Sequence, residues 1–142
     1  MINYIDQPYD CLLEGFCDGW KKPLSPLQLR EVIANSTYKV LAIDASKKKA
    51  VGIITALSDN VNWAFIPYLE VLPEYQKQGI GTELMKRMLT QLAHITCIDL
   101  TFDLEVQPFY ERFGMLKSEG MVIRRYLTEA LQKVYNSMEA LI

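Results

Sequence analysis

The sequence predicts an α+β fold, and three observations carry the prediction. β-rich segments at residues 38–44, 50–57 and 62–72 follow one another as a meander separated by polar turns. The last of them runs through a proline and a two-glycine loop into a helix, whose Leu84, Met85, Met88, Leu89, Leu92 and Ala93 recur at a 3.6-residue period. Helical signals also precede the meander. With 142 residues, half of them hydrophobic, the chain can bury one substantial core, and a single domain over residues 1–142 is expected.

Charge and composition narrow the function classes. A net charge of −2 argues against a general nucleic-acid coat. Three cysteines, Cys11, Cys17 and Cys97, form no C-x-x-C pair and are odd in number, which suits a reducing, cytoplasmic setting rather than a disulfide framework. Residues 1–10 lack a basic leader region, and no uncharged apolar run is long enough for a membrane span. One histidine and scattered cysteines lack metal-ligand spacing, so no metal is expected. That histidine, His94, stands at an expected helix end, where the dipole explains it, and no nucleophile elbow accompanies it.

In chain order, residues 2–5 read as a short strand and residues 9–19 as a helix with Cys11, Leu12, Phe16 and Trp20 inward. Ser25 as N-cap, Pro26 at the first position and Gln28 completing a capping box start the next helix, which ends near Asn35. Ser46-Lys47-Lys48-Lys49 is a solvated turn between the first two strands of the meander. Pro67 inside the third has no amide hydrogen and therefore marks a bulge or an edge-like break. A helix over residues 83–94, a strand over 96–102, a short helix capped by Gly114, a closing strand or strand pair over 115–120 and 121–126, and an amphipathic helix over 128–142 follow.

The stretch from Leu69 to Thr82 organises the site. Pro73 ends the strand, Gly79 and Gly81 permit a tight turn and close approach, and the helix that follows offers unpaired N–H groups at its positive end, an anion site. Gly81 is followed by Thr82 and Glu83, so the P-loop ending is missing, and Leu84 replaces the third small residue of a dinucleotide fingerprint. Gln76-Lys77-Gln78-Gly79-Ile80-Gly81, preceded by Val71-x-Pro73-x-Tyr75, resembles the acyl-CoA pyrophosphate loop of the GNAT N-acetyltransferases. A second stretch, Pro108-Phe109-Tyr110-Glu111-Arg112-Phe113-Gly114-Met115, resembles the other hallmark of that family, in the version of its arylalkylamine N-acetyltransferase subgroup.

The resemblance implies a GNAT fold: a mixed, mostly antiparallel sheet of six to seven strands, with a splayed central pair and helices on both faces. It implies acetyl-CoA as acyl donor and a primary amine, a small molecule, as acceptor; a monomer or homodimer is expected. The pantetheine arm would bond the backbone of Leu69 and Val71. Gln76, Lys77, Gln78, Gly79, Ile80, Gly81 and Thr82 would cradle the pyrophosphate, with Asp103, Phe109 and Arg112 as further contacts. Tyr110 would point its hydroxyl at the sulfur, and the N-terminal helices would wall the acceptor pocket. The family's usual base positions fall here on Phe65 and Pro67, neither of which takes a proton, and Glu70 is the nearest carboxylate. That departure keeps a non-catalytic acyl-CoA sensor open beside the enzyme, and a protein or peptide acceptor is a third reading. Trp63, Phe65 and Tyr68 suggest a smaller aromatic pocket.

Overall fold

The computed structural model describes residues 1–126, 129, 133 and 136–138. Residues 1–101 form one compact unit and residues 102–142 a second. The first unit contains β1 (Ile2–Ile5), α1 (Pro26–Asn35), β2 (Tyr38–Asp44), β3 (Lys49–Ser58), β4 (Trp63–Val71), α2 (Ile80–Gln91) and β5 (Cys97–Asp99). The strands form one sheet in the order β1-β2-β3-β4-β5. The first four pair antiparallel and β5 lies parallel to β4.

The meander lies where the sequence places it. β2 and β3 are buried along almost their whole length, with Val40, Leu41, Ile43, Val51, Ile53 and Ile54 in the core. Gly52 sits opposite Val71, and Ile53 opposite Glu70, so these two pairs face opposite sides of the sheet. On the Gly52 side α2 packs with Ile80, Leu84, Met85 and Met88 buried. The capping box of α1 is present, with Ser25 Oγ accepting from Gln28 N and Gln28 Oε1 from Ser25 N. The bulge at Pro67 is present as well: between the pairs Thr55–Tyr68 and Leu57–Phe65, Ile66 and Pro67 together oppose Ala56.

Several expectations are corrected. Residues 9–19 are not a helix. Leu12 N donates to Lys48 O and Ala50 N donates to Leu12 O, an isolated bridge to the start of β3, and positive φ at Gly15, Cys17 and Gly19 turns the chain left-handed where a helix needs the opposite. Cys11, Leu13, Phe16 and Cys17 are buried, whereas Leu12 is exposed. The central helix starts at Ile80, three residues earlier than expected, because left-handed Gly79 is its N-cap. It ends at Gln91, which leaves His94 beyond it. β5 keeps only three of the expected seven strand residues. The sheet of the described residues has five strands, and residues 115–120 and 121–124 are irregular, with Leu116, Met121, Val122 and Ile123 exposed. The second unit contains α3 (Gln107–Glu111) after a 3-10 turn at Leu104–Val106. The helix expected over 128–142 lies outside the described residues except for isolated positions.

Candidate active site

β4 offers one free flank. Its ladder with β5 covers only Trp63, Phe65 and the residue between them, so among the described residues no strand lies beside its last six positions on that side. Leu72 N donates to Val51 O, toward β3. Backbone groups alternate along a strand, so the N–H and C=O of Leu69 and Val71 point the other way, onto the open flank. One of them is already engaged: Gln76 Nε2 donates to Val71 O at 3.0 Å, which ties the loop back to the strand end.

The loop itself is built by a 3-10 turn at Pro73–Tyr75 and two left-handed residues, Lys77 and Gly79, at φ of 62° and 85°. Gly81 is helical, in the first turn of α2. The first helical bond runs from Glu83 N to Gly79 O, so the N–H groups of Gly79, Ile80 and Gly81 precede it and face out of the helix start. A Cβ on Gly79 would meet nothing within 4 Å, so its need for glycine is conformational. On the far side Tyr75 Oη donates to Asp44 Oδ2 at 2.8 Å, and Lys47 Nζ lies 5.9 Å from the Tyr75 ring. The hydroxyls of Ser46 and Tyr75 hold the Asp44 carboxyl down to about 2. The β2–β3 turn therefore braces the loop, a contact that no local sequence signal announces.

Glu70 points to the face opposite α2, together with Tyr68 on β4 and Ile53 and Thr55 on β3. The irregular segment around residues 11–20 covers this face. Cys17 N donates to both Glu70 carboxylate oxygens, at 2.9 and 3.0 Å, and the Trp20 ring stacks on Tyr68 with centroids 5.8 Å apart and planes 4° from parallel. Burial pushes the Glu70 carboxyl up, the Asp18 charge adds to this, and the Cys17 N–H opposes it. Burial also raises the Tyr68 hydroxyl. Thr55 is fully buried, and its Oγ1 has no hydrogen-bond partner among the described residues. Cys17 and Thr55 were not legible as site residues, although the glycines at 15 and 19 are a signal for a turn that brings a backbone N–H inward.

In the second unit Tyr110 belongs to an aromatic group. Phe109 meets it edge-on at 5.1 Å, Phe102 lies at 6.4 Å, and the Arg112 guanidinium sits 5.4 Å from the Phe109 ring. Burial, and then the Asp103 charge, raise the Tyr110 hydroxyl above its ordinary value. It therefore stays a hydrogen-bond donor across the neutral range. α3 has five residues. Among the described residues no group of three or more His, Cys, Asp or Glu side chains could hold a metal ion, and no helix is long and apolar enough to cross a membrane.

Comparison with known proteins is consistent in direction. The profile of the Acetyltransferase (GNAT) family matches residues 5–115. An uncharacterised N-acetyltransferase of Porphyra purpurea is 31% identical over 110 residues, which cover 74% of this chain and 63% of that one. The chain thus spans less than two thirds of the length of the curated relatives that it matches. Among solved structures, a Deinococcus radiodurans protein assigned as an acetyltransferase superposes with a TM-score of 0.83 at 36% identity, covering 91% of this chain and 92% of that one. A GNAT-family acetyltransferase of Streptococcus pneumoniae reaches a TM-score of 0.71 at 27% identity, covering 87% of this chain and 98% of that one.

Proposed function

Because the chain belongs to the GNAT acetyltransferase family, we propose that it transfers the acetyl group of acetyl-CoA directly to the nitrogen of a small primary amine. The observation that carries this reading is the open flank of β4, where the Leu69 and Val71 backbone points outward beside the N–H groups at the start of α2. Acetyl-CoA is extended, with amides in its arm and a pyrophosphate at its far end. An outward strand edge suits the amides, as an added strand would. The start of α2 suits the pyrophosphate, with Gln76, Lys77 and Gln78 leading into it.

Transfer forms a C–N bond and breaks a C–S bond. The amine must lose a proton, which Glu70 takes, and the departing sulfur needs a hydrogen-bond donor, the part that the Pro108–Gly114 motif assigns to Tyr110. The backbone N–H of Val71 serves the carbonyl oxygen as negative charge develops on it. A raised carboxyl is a better base than an exposed one because it binds a proton more readily near neutrality. The Trp20–Tyr68 pair beside it offers a flat apolar surface to the rest of the acceptor. Phe109 and Arg112 remain proposed cofactor contacts by the same motif, and Asp103 by its place after the fifth strand. Free Cys11, Cys17 and Cys97 suit a reducing compartment, and the cytoplasm is the proposed one.

Calorimetric titration with acetyl-CoA, comparing the protein with Gly79→Ala, tests the cradle. A Cβ at φ of +85° costs roughly 1–2 kcal/mol, so the free loop of the variant relaxes away from this conformation and acetyl-CoA must restore it, which makes about five- to thirtyfold weaker binding the expected result. Unchanged affinity would remove the loop from the site. Tight binding with no turnover on any amine would assign the cradle to acyl-CoA sensing.

A further inference from the structure

Two groups on the acceptor face are each short of a hydrogen-bond partner. Both Glu70 oxygens rest on the single N–H of Cys17, although a carboxylate has about four acceptor positions. Thr55 Oγ1 is buried with no partner among the described residues. The register places Thr55 opposite Tyr68 and Ile53 opposite Glu70, so Thr55 and Glu70 are diagonal neighbours on one face. Such neighbours are separated by roughly 7–8 Å at Cα and less at Cβ, a gap that a glutamate side chain and a threonine hydroxyl close between them.

We propose that Thr55 is a positioning residue for Glu70: the carboxylate rests on the Cys17 N–H without acceptor and turns on amine binding, so that one oxygen takes the Thr55 hydroxyl while the other takes the amine's proton. The proton passes from the amine nitrogen to Glu70, and Thr55 keeps its own. This rests on the reading of Glu70 as the base. The titratable groups facing Glu70 are Asp18 and the Cys17 thiol from the covering segment and Tyr68 along β4, whereas β3 presents Ile53 and Thr55, neither of which titrates in this range. Burial and Asp18 favour the protonated acid, and a hydroxyl donated to the charged form opposes them. Removing the hydroxyl therefore moves the acid limb of kcat to higher pH.

The test compares the full chain with Thr55→Val, Thr55→Ser and Glu70→Gln. Phenethylamine, whose ring suits the Trp20–Tyr68 pair, is the acceptor, and thiol release from acetyl-CoA is followed from pH 6 to 10. Thr55→Val is expected to lower kcat at neutral pH about tenfold and to shift the acid limb up by about one unit, with the KM for acetyl-CoA unchanged. Thr55→Ser is expected to behave as the parent. Thr55→Ala replaces the valine variant if that does not fold. Should phenethylamine not turn over, the Glu70 carboxyl is titrated by carbon NMR with the amine present, and the same upward shift is expected. A Thr55→Val profile that superposes on the parent, with the limb lost in Glu70→Gln, would overturn the role of Thr55 alone. A limb that survives Glu70→Gln would overturn the base assignment and this inference with it.

Discussion

Replacing Glu70 with glutamine keeps the shape of the side chain and an oxygen for the Cys17 N–H, but removes the capacity to take a proton. A primary amine with a pKa of about 10.4 is neutral in roughly one molecule per thousand at physiological pH, a barrier of about 4 kcal/mol that a base removes in part. Loss of a positioned base costs about 10²–10⁴-fold, so kcat/KM at pH 7 should fall by at least ~10²-fold. As the pH approaches the pKa of the amine, solvent does the deprotonation and the two proteins should converge. Stability should move the other way. Burial raises the Glu70 carboxyl above its ordinary 4.5, so its favourable contribution is complete below that value and is lost as the pH rises through the folded-state pKa. Glu70→Gln should therefore melt higher than the parent at pH 7 and match it near pH 4. The assay is kcat/KM from pH 6 to 10 with melting curves alongside. A parent-to-variant activity ratio that stays flat across that range would refute the reasoning.

Two other perturbations follow from the packing around the loop. A Cβ added at Gly52 would lie 3.0 Å from Leu84 Cδ1 and 3.1 Å from Ile80 Cγ2, so Gly52→Val should cost about 1–3 kcal/mol by overpacking and weaken acetyl-CoA binding by displacing the start of α2; melting and titration read both effects. Tyr75→Phe removes one of the two hydroxyls that hold Asp44 near 2. A depressed carboxyl contributes stability above its unfolded pKa of about 3.9 and loses it as the pH falls through the folded value, so the melting difference between parent and Tyr75→Phe should be full at pH 6 and narrow toward pH 2. A difference that does not change with pH would remove Asp44 from the brace.

What the sequence revealed was local. The capping box at Ser25 and Gln28, the β-rich runs of β2 to β4 and the proline bulge at Pro67 each depend on residues within a few positions, and each is present. Residues 9–19 misled because the spacing of Leu12, Phe16 and Trp20 suits one helix face, while the glycines at 15 and 19 and the bridge to β3 decide for the turn. The start of α2 shifted because Gly79 caps it through backbone conformation rather than through a side chain. Strand formation over 115–126 would need a ladder partner, and no pattern in the segment itself supplies one. The bulge was legible, but the cover over Glu70 was not: Cys17 N reaches its carboxylate across 53 residues of sequence. The brace of Tyr75 on Asp44 spans 31 residues and left no local trace.

The most direct test of the account is amine-dependent thiol release from acetyl-CoA, measured against arylalkylamines, polyamines, amino acids and peptide N-termini, with Tyr110→Phe in parallel. Release is expected to depend on a small primary amine and to fall at least ~tenfold in the variant, about 1.4 kcal/mol of transition-state stabilisation. Release that is indifferent to the amine or to the Tyr110 hydroxyl would contradict it, as would a protein that does not bind acetyl-CoA.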